Sequence, residues 1–318
     1  MTLLFFFAIS GQILCAPVWG SKLFDSVALL NITINLKTED ILAIDQPTAS
    51  TIKLSSGDTI DVVIKKGGNW RLKNCDFPPL KIKFASSDQT KGGDFENQSS
   101  LKLVTQCNRG ERAEFNKREY LSYKLYQQIT DLSFGVRAVS VKYLDGPPQF
   151  SFFIERTTDL SNRSKMVYQK GMYRVDPKKV ENDNALRAHL FNHFIGNEDY
   201  AFAWDLLHNV KLFKKYPELK LYVIPYDFDF SDLTFYKRFR SGPYIKRFCY
   251  SWDRVLPEWR KFTRKLVDLR LVISEMDLLG AEKKILLDSF DVASARFQKE
   301  EYIKSVVENS HKYCPSIF

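Results

Sequence analysis

The chain has 318 residues, of which 44% are hydrophobic and 14% aromatic, enough apolar material for one large domain or two lobes. Charged residues make up 27%, which argues against bulk disorder. The net charge of +9 suits an anionic partner such as a nucleotide, a phosphopolymer, an acidic protein or a membrane surface. The basic residues are scattered, as at Lys65-Lys66, Lys214-Lys215 and Lys237-Arg238, so no nucleic-acid partner is expected.

Residues 1–20 contain no charged side chain. The apolar stretch MTLLFFFAIS is followed by small residues near Cys15 and Ala16, so 1–20 reads as a signal peptide and the rest as secreted or held in the cell envelope. The segment lacks a basic start, and the competing reading is a signal-anchor or a buried first strand. No other run reaches the ~20 apolar residues of a spanning helix. Past Cys15, Cys75, Cys107, Cys249 and Cys314 remain, which permits two disulfides in any of three connectivities. Sequence order suggests Cys75 with Cys107 and Cys249 with Cys314. None has the C-x-x-C spacing of a zinc site.

In chain order, short strands are expected at 28–33, 49–54 and 59–64, with turns at 55–58 and 67–69. Pro78-Pro79 leads extended chain into a strand at 80–84. There Leu80, Ile82 and Phe84 take one face, and Lys81 and Lys83 the other. A loop over 86–100 precedes a strand at 101–104 that carries Lys102. Helical spacing of Phe115, Leu121, Leu125 and Ile129 predicts a helix over 114–130, with Glu119 near its start. Strands at 136–144 and 150–155 flank the turn 145–148. Helices are then expected at 185–195, 257–276, 280–287 and 292–309. The organisation is α+β, with a β-rich unit of one helix over 21–155 and a mainly helical unit over 156–318.

The chemistry-bearing stretch runs from His189 to Ser231. An apolar run closes at Gly196 and gives way to the polar corner Asn197-Glu198-Asp199. His208-Asn209 leads into the run 210–213, and a second run, 219–226, delivers Asp227 and Asp229. Carboxylates and a carboxamide at the mouths of two adjacent strands make a hard-oxygen pocket suited to Mg²⁺ or Mn²⁺. Phosphoryl transfer uses such a site: one Asp orients the attacking hydroxyl, while an Asn and an Asp hold metal on the phosphates. Each residue also has a plainer reading: a cap for Asp199, a turn for Asn209, solvated strand positions for the lysines. His189 and His193 lie one helical turn apart without an H-E-x-x-H core and read as packing residues. The nucleophile elbow Gly-x-Ser-x-Gly is absent from the sequence, and nothing supports a sugar cleft around Asp199 and Asp227.

Taken together and in order, RLKNCDFPPLKIKF (71–84), LKLVTQC (101–107), EYLSYKLYQQITDLSFGVRAVSVKYLD (119–145), FFIE (152–155), HFIGNEDY (193–200), HNVKLF (208–213) and VIPYDFDFS (223–231) resemble the CotH-like atypical kinases. Within that family the likeness is to an exported bacterial branch. It implies a bilobal protein-kinase-like fold with a β-rich N-lobe and a mainly helical C-lobe. Lys81, or else Lys102 or Lys83, would touch the α- and β-phosphates of ATP, held by Glu119, with Glu155 near the strand between the lobes. Asp199 would be the catalytic residue; Asn209, Asp227 and Asp229 would hold Mg²⁺ or Mn²⁺. The acceptor would be a hydroxyl of a protein, with envelope or surface association. The chain departs from ordinary kinases in two ways. It has no Gly-x-Gly-x-x-Gly loop, only Gly67-Gly68, and its Asp199 and Asn209 lie ten positions apart (209 − 199) instead of about five. The alternative is a non-catalytic pseudokinase or a cell-envelope binding or structural protein.

Overall fold

A computed structural model describes residues 21–68, 70–107, 114–172, 175–203, 206–240, 249–311 and 314. The expected signal segment 1–20 and the turn residue Asn69 lie outside them. The elements run α1 (Lys22–Asp25), β1 (Leu30–Ile34), α2 (Thr38–Ala43), β2 (Thr48–Leu54), β3 (Thr59–Lys66), α3 (Arg71–Asn74), β4 (Leu80–Phe84), β5 (Ser100–Val104), α4 (Phe115–Ile129), β6 (Val136–Lys142) and β7 (Gln149–Ile154). They continue with α5 (Thr157–Ser164), β8 (Met166–Tyr168), α6 (Asn182–Phe194), β9 (Ala201–Ala203), β10 (Leu206–His208), β11 (Val210–Lys215) and β12 (Leu221–Pro225). The chain ends in α7 (Asp232–Tyr236), α8 (Trp252–Arg264), α9 (Leu266–Glu275), α10 (Gly280–Phe297) and α11 (Glu300–His311).

Strict alternation builds the first half. Leu30, Ile32 and Ile34 on β1, Ile60, Val62 and Ile64 on β3, and Leu80, Ile82 and Phe84 on β4 are buried, while Lys81 and Lys83 are exposed. The strands of this β-rich unit are not all antiparallel. They close into a barrel of order β1-β2-β3-β4-β5-β7-β6, sealed by a parallel pair in which Ile32 faces Val141. Closure removes both sheet edges and surrounds a core that includes Ile52, Leu103, Val139 and Phe153. This half also carries α1, α2 and α3 besides the expected helix α4, because short turns of helix leave little periodic signal.

Beyond β7 the chain is not purely helical. A three-stranded sheet of order β12-β11-β8 and the hairpin of β9 and β10 lie among the helices. The expected helix over 257–276 is two helices, α8 and α9, and α10 runs unbroken through the expected break at 288–291. Phe194 at the end of α6 stacks against Phe239, Phe262, Phe290 and Phe297. The core is continuous across the two halves. Val104, Val136 and Phe152 of the barrel strands share a cluster with Tyr123 and Leu125 of α4 and with Phe191, Phe228 and Phe290. Two disulfides, Cys75–Cys107 and Cys249–Cys314, match the expected pairing. Such bonds are consistent with an extracellular location, and no described helix is long and apolar enough to cross a membrane.

Helix α4 is anchored to the C-terminal helices by charge as well as packing. Arg118, almost fully buried, gives Nε–H to the Thr234 carbonyl at 2.7 Å and pairs through Nη1 with Glu282 of α10. A buried ion pair adds little over an apolar pair, but breaking it strands a charge. Glu282→Gln should therefore cost about 3–5 kcal/mol in a urea unfolding experiment. The double replacement Arg118→Met with Glu282→Leu should cost less than the sum of the two single changes.

Candidate active site

Between the barrel and the C-terminal half lies a cleft of about 600 Å³. Its barrel wall carries Gly67, Gly68, Lys81 and Lys102; Tyr123 of α4, Glu155, Lys211 and Tyr226 complete the sides used below. Lys81 and Lys102 face each other directly across β4 and β5. Lys83 shares the Lys81 face but pairs with Ser100, two positions along the ladder.

The turn after β3 prepares an unforeseen residue. Gly68 adopts φ +82°, a left-handed conformation that favours glycine, shortly before the one-turn helix α3. Arg71 opens that helix, and Cys75 closes it, its N–H bonded to the Arg71 carbonyl at 3.0 Å and its sulfur tied to Cys107 beyond β5. Arg71 is thereby driven inward. Its Nη2 pairs with Glu119 of α4, its Nε and Nη2 lie 3.4 Å from Asp229 Oδ2, and its guanidinium stands over the Phe115 ring. Glu119 is therefore partnered by an arginine, not by Lys81 or Lys102. Burial works against the charge on Arg71, but Glu119, Asp229 and Asp227 outweigh it and hold the guanidinium charged.

The same crowding acts on the acids. Burial pushes the Glu119 carboxyl up, Arg71 pulls it down, and Asp227 pushes it up again; burial prevails. Asp229 is pushed up to about 7 by burial, then by Asp227 and Glu119, against the pull of Arg71 and Lys102. Phe228 between the two acids is fully buried against Tyr123, Tyr126 and Phe191. Beside that anchor Asp227 is half-buried and Asp229 is buried. The Asp227 N–H donates to the Tyr123 hydroxyl at 2.9 Å, and burial keeps that phenol protonated.

Asp199 and Asn209 come together despite their separation in sequence. The extra residues form the hairpin β9–β10, in which His208 faces Ala201, and the chain returns beside its start. Asn209 Nδ2 then donates to Asp199 Oδ2 at 2.7 Å, and His208 Nε2 lies 3.1 Å from Oδ1. The corner is braced from behind: the Asp199 N–H donates to Asn197 Oδ1 at 3.2 Å, and Asn197 Nδ2 donates to Asn192 Oδ1 at 2.8 Å. Gly196 is required here, since a Cβ would meet Asp232 at 2.5 Å. Antiparallel pairing of β11 with β12 sets Val210 opposite Pro225, and the Tyr226 N–H donates to the Asn209 carbonyl at 3.0 Å. Asp227 is the next residue. Asn209 and Asp227 both have positive φ, +52° and +62°, a conformation that non-glycine residues adopt sparingly and that recurs at functional corners.

Other sequence candidates fall elsewhere. Glu155 edges the cleft, but its oxygens accept from Arg163 Nε at 2.7 Å, Arg163 Nη2 at 3.0 Å and the Gly135 N–H at 2.9 Å. His189 is a packing residue against Tyr200, Phe202 and Tyr250, pushed down to about 3 by burial and hence neutral. His193 contacts Tyr302 through Nε2 at 3.2 Å. Arg71, Tyr123 and Lys211 were not singled out from sequence. A glycine pair just before RLKNC marks where a short helix could turn Arg71 inward, and Lys211 follows Asn209 at the strand period of two. Among the described residues no group of three or more His, Cys, Asp or Glu is placed to hold a metal ion.

No protein-family model and no curated protein matches the chain. Among solved structures it is similar to the Helicobacter pylori proinflammatory kinase CtkA, at 8% identity and a TM-score of 0.45, over 77% of this chain and 94% of that one.

The raised Asp229 carboxyl makes stability depend on pH. An unfolded Asp gives up its proton near 3.9, whereas folded Asp229 keeps it to about 7, so the folded state binds more protons between these values. Stability from this group should therefore fall as pH rises from about 4 to 7. Thermal melts of the ligand-free protein should show that slope flattened in Asp229→Asn, with the variant melting above wild type at pH 8.

Proposed function

We propose that the chain is a nucleotide-dependent phosphotransferase with a bilobal, kinase-like arrangement, moving the γ-phosphoryl group of ATP to a hydroxyl of a protein. One observation carries the reading. Asp199, Asn209 and Asp227, from three separate segments, are gathered at one corner by the Asn209–Asp199 hydrogen bond and the Tyr226–Asn209 strand pairing. Tyr226, the residue before Asp227, and Lys211, two residues past Asn209, line the cleft whose barrel wall carries Lys81 and Lys102.

The donor set fits a hard divalent cation. Asn209 spends its Nδ2 on Asp199, which leaves Oδ1 free, and no described residue donates a side-chain hydrogen bond or ion pair to the Asp227 carboxylate. Mg²⁺ or Mn²⁺ is commonly held by one or two such oxygens together with phosphate oxygens and water. Asn209 and Asp227 would hold it, and it would neutralise charge on the phosphates. Asp229 would have to share its oxygens with Arg71, so it sits behind the ligands and, with Glu119, positions the turn. Lys81 and Lys102 would take the α- and β-phosphates. Glu155 would brace the inter-lobe strand through Arg163.

In the transfer step the acceptor hydroxyl oxygen forms a bond to the γ-phosphorus, and the bond from that phosphorus to the β–γ bridging oxygen breaks. ADP leaves with the electron pair, and the hydroxyl proton passes to Asp199. His208 and Asn209 orient the Asp199 carboxylate for this. Both disulfides suit action outside the cytoplasm, which we include in the proposal. The competing reading is a protein that binds nucleotide without transferring phosphate. It is favoured by the engagement of both Asp199 oxygens, which leaves the base less free than in an open site.

Residues 21–318 with disulfides formed, given labelled ATP, Mg²⁺ or Mn²⁺ and an acidic acceptor protein, should transfer label. Asp199→Ala and Asp227→Asn should each lower transfer by about 100-fold or more. ATP should raise the melting temperature of wild type and Asp199→Ala but not of Asp227→Asn. Binding without transfer would establish the competing reading; neither binding nor transfer would remove both.

A further inference from the structure

The charges lining the cleft are not balanced. Glu155 is satisfied by Arg163, and Arg156 is locked to Asp159 at 2.6 and 2.8 Å. Lys81, Lys102 and Lys211 also line it, and among the described residues none of the three has a carboxylate within ion-pair distance. Lys81 and Lys102 stand directly opposite in register, an arrangement of like charges that a sheet tolerates poorly without a counter-charge. Lys211 belongs to the other wall. The residue is half-buried, with its ammonium 4.5 Å from the Tyr226 ring centre and 5.7 Å from that of Tyr168. Aromatic faces steady a cation but accept none of its hydrogen bonds in the ordinary sense, so its donors remain available.

Along β11, Lys211 stands two residues past Asn209, which places it beside the Asp199–Asn209–Asp227 corner. The cleft therefore offers ammonium groups from both sides, and the one acid among its described lining residues, Glu155, is already paired with Arg163. We propose that Lys211 is a phosphate ligand. It grips from the C-terminal wall the polyphosphate that Lys81 and Lys102 grip from the barrel, so that a nucleoside polyphosphate bridges the two halves. The inference rests on the phosphotransfer reading in taking the phosphate to be a nucleotide's; the same charges would also accept inorganic polyphosphate.

Calorimetric titration of the disulfide-bonded protein with inorganic tripolyphosphate, with ATP plus Mg²⁺, and with adenosine separates the cases. Lys211→Met keeps the aliphatic stem over Tyr226 and should bind tripolyphosphate and ATP about tenfold more weakly, the worth of one charge-assisted hydrogen bond. Lys211→Arg should recover most of that loss, and adenosine should not distinguish the variants. Wild-type binding that Lys211→Met leaves unchanged would overturn the inference while the phosphotransfer reading stands. Tripolyphosphate binding lost in Lys211→Met, with no binding of ATP, would uphold the lysine clamp and remove the nucleotide. Failure of wild type to bind either would overturn both. Should Lys211→Met fold poorly, the Lys211→Arg and Lys211→Gln pair decides: equal affinity for tripolyphosphate in the two would overturn the clamp.

Discussion

Arg71 is the buried cation on which the cleft depends. It stands between Glu119 and Asp229, with Asp227 close enough to help hold its charge. A guanidinium taken out of water is tolerable only when carboxylates meet it, and those carboxylates are tolerable only because it is there. The contacts join three elements that are far apart in sequence: the turn of helix after β3, the helix α4, and the Asp227–Asp229 turn. Because Arg71 satisfies Glu119 from within, Lys81 and Lys102 line the cleft without an ion pair among the described residues, and Lys211 joins them from the other wall.

Packing fixes the Asp199–Asn209–Asp227 corner as firmly as charge does. Phe228 is held among Tyr123, Tyr126 and Phe191, while Asp227 before it is half-buried and Asp229 after it is buried within reach of Arg71. The left-handed backbones of Asn209 and Asp227 sit at facing ends of β11 and β12, where strand pairing holds them in place. Positions of this kind persist only where the surroundings over-determine them. Here those surroundings include the Asn192–Asn197–Asp199 brace and the close approach of Asp232 to Gly196.

The hairpin of β9 and β10 explains how an unusual spacing leaves the corner intact. A chain that leaves Asp199, pairs with itself and returns at His208 ends within hydrogen-bond reach of where it began. The pairing of the two strands, and not the number of residues between Asp199 and Asn209, brings the ends together.

Much of this was legible in the amino-acid sequence. The alternation of Leu80, Ile82 and Phe84 with Lys81 and Lys83 marks a strand with one wet face, and the spacing of Phe115, Leu121, Leu125 and Ile129 marks α4, because side-chain period is a local property. The order of the cysteines suggested, among three connectivities, the two disulfides that form, and the apolar runs before Asn209 and Asp227 marked the strand ends where these polar residues fall. Tertiary structure alone decided the rest. Closure of the barrel depends on β1 meeting β6 about a hundred residues away, and periodicity says which face is buried but never against what. That Glu119 takes Arg71 as its partner and that Asp229 turns inward follow from which charges lose water together, and that Lys211 shares a cleft with the barrel lysines follows from how the two halves pack. Desolvation is a property of the assembled fold and leaves no trace in the spacing of residues along the chain.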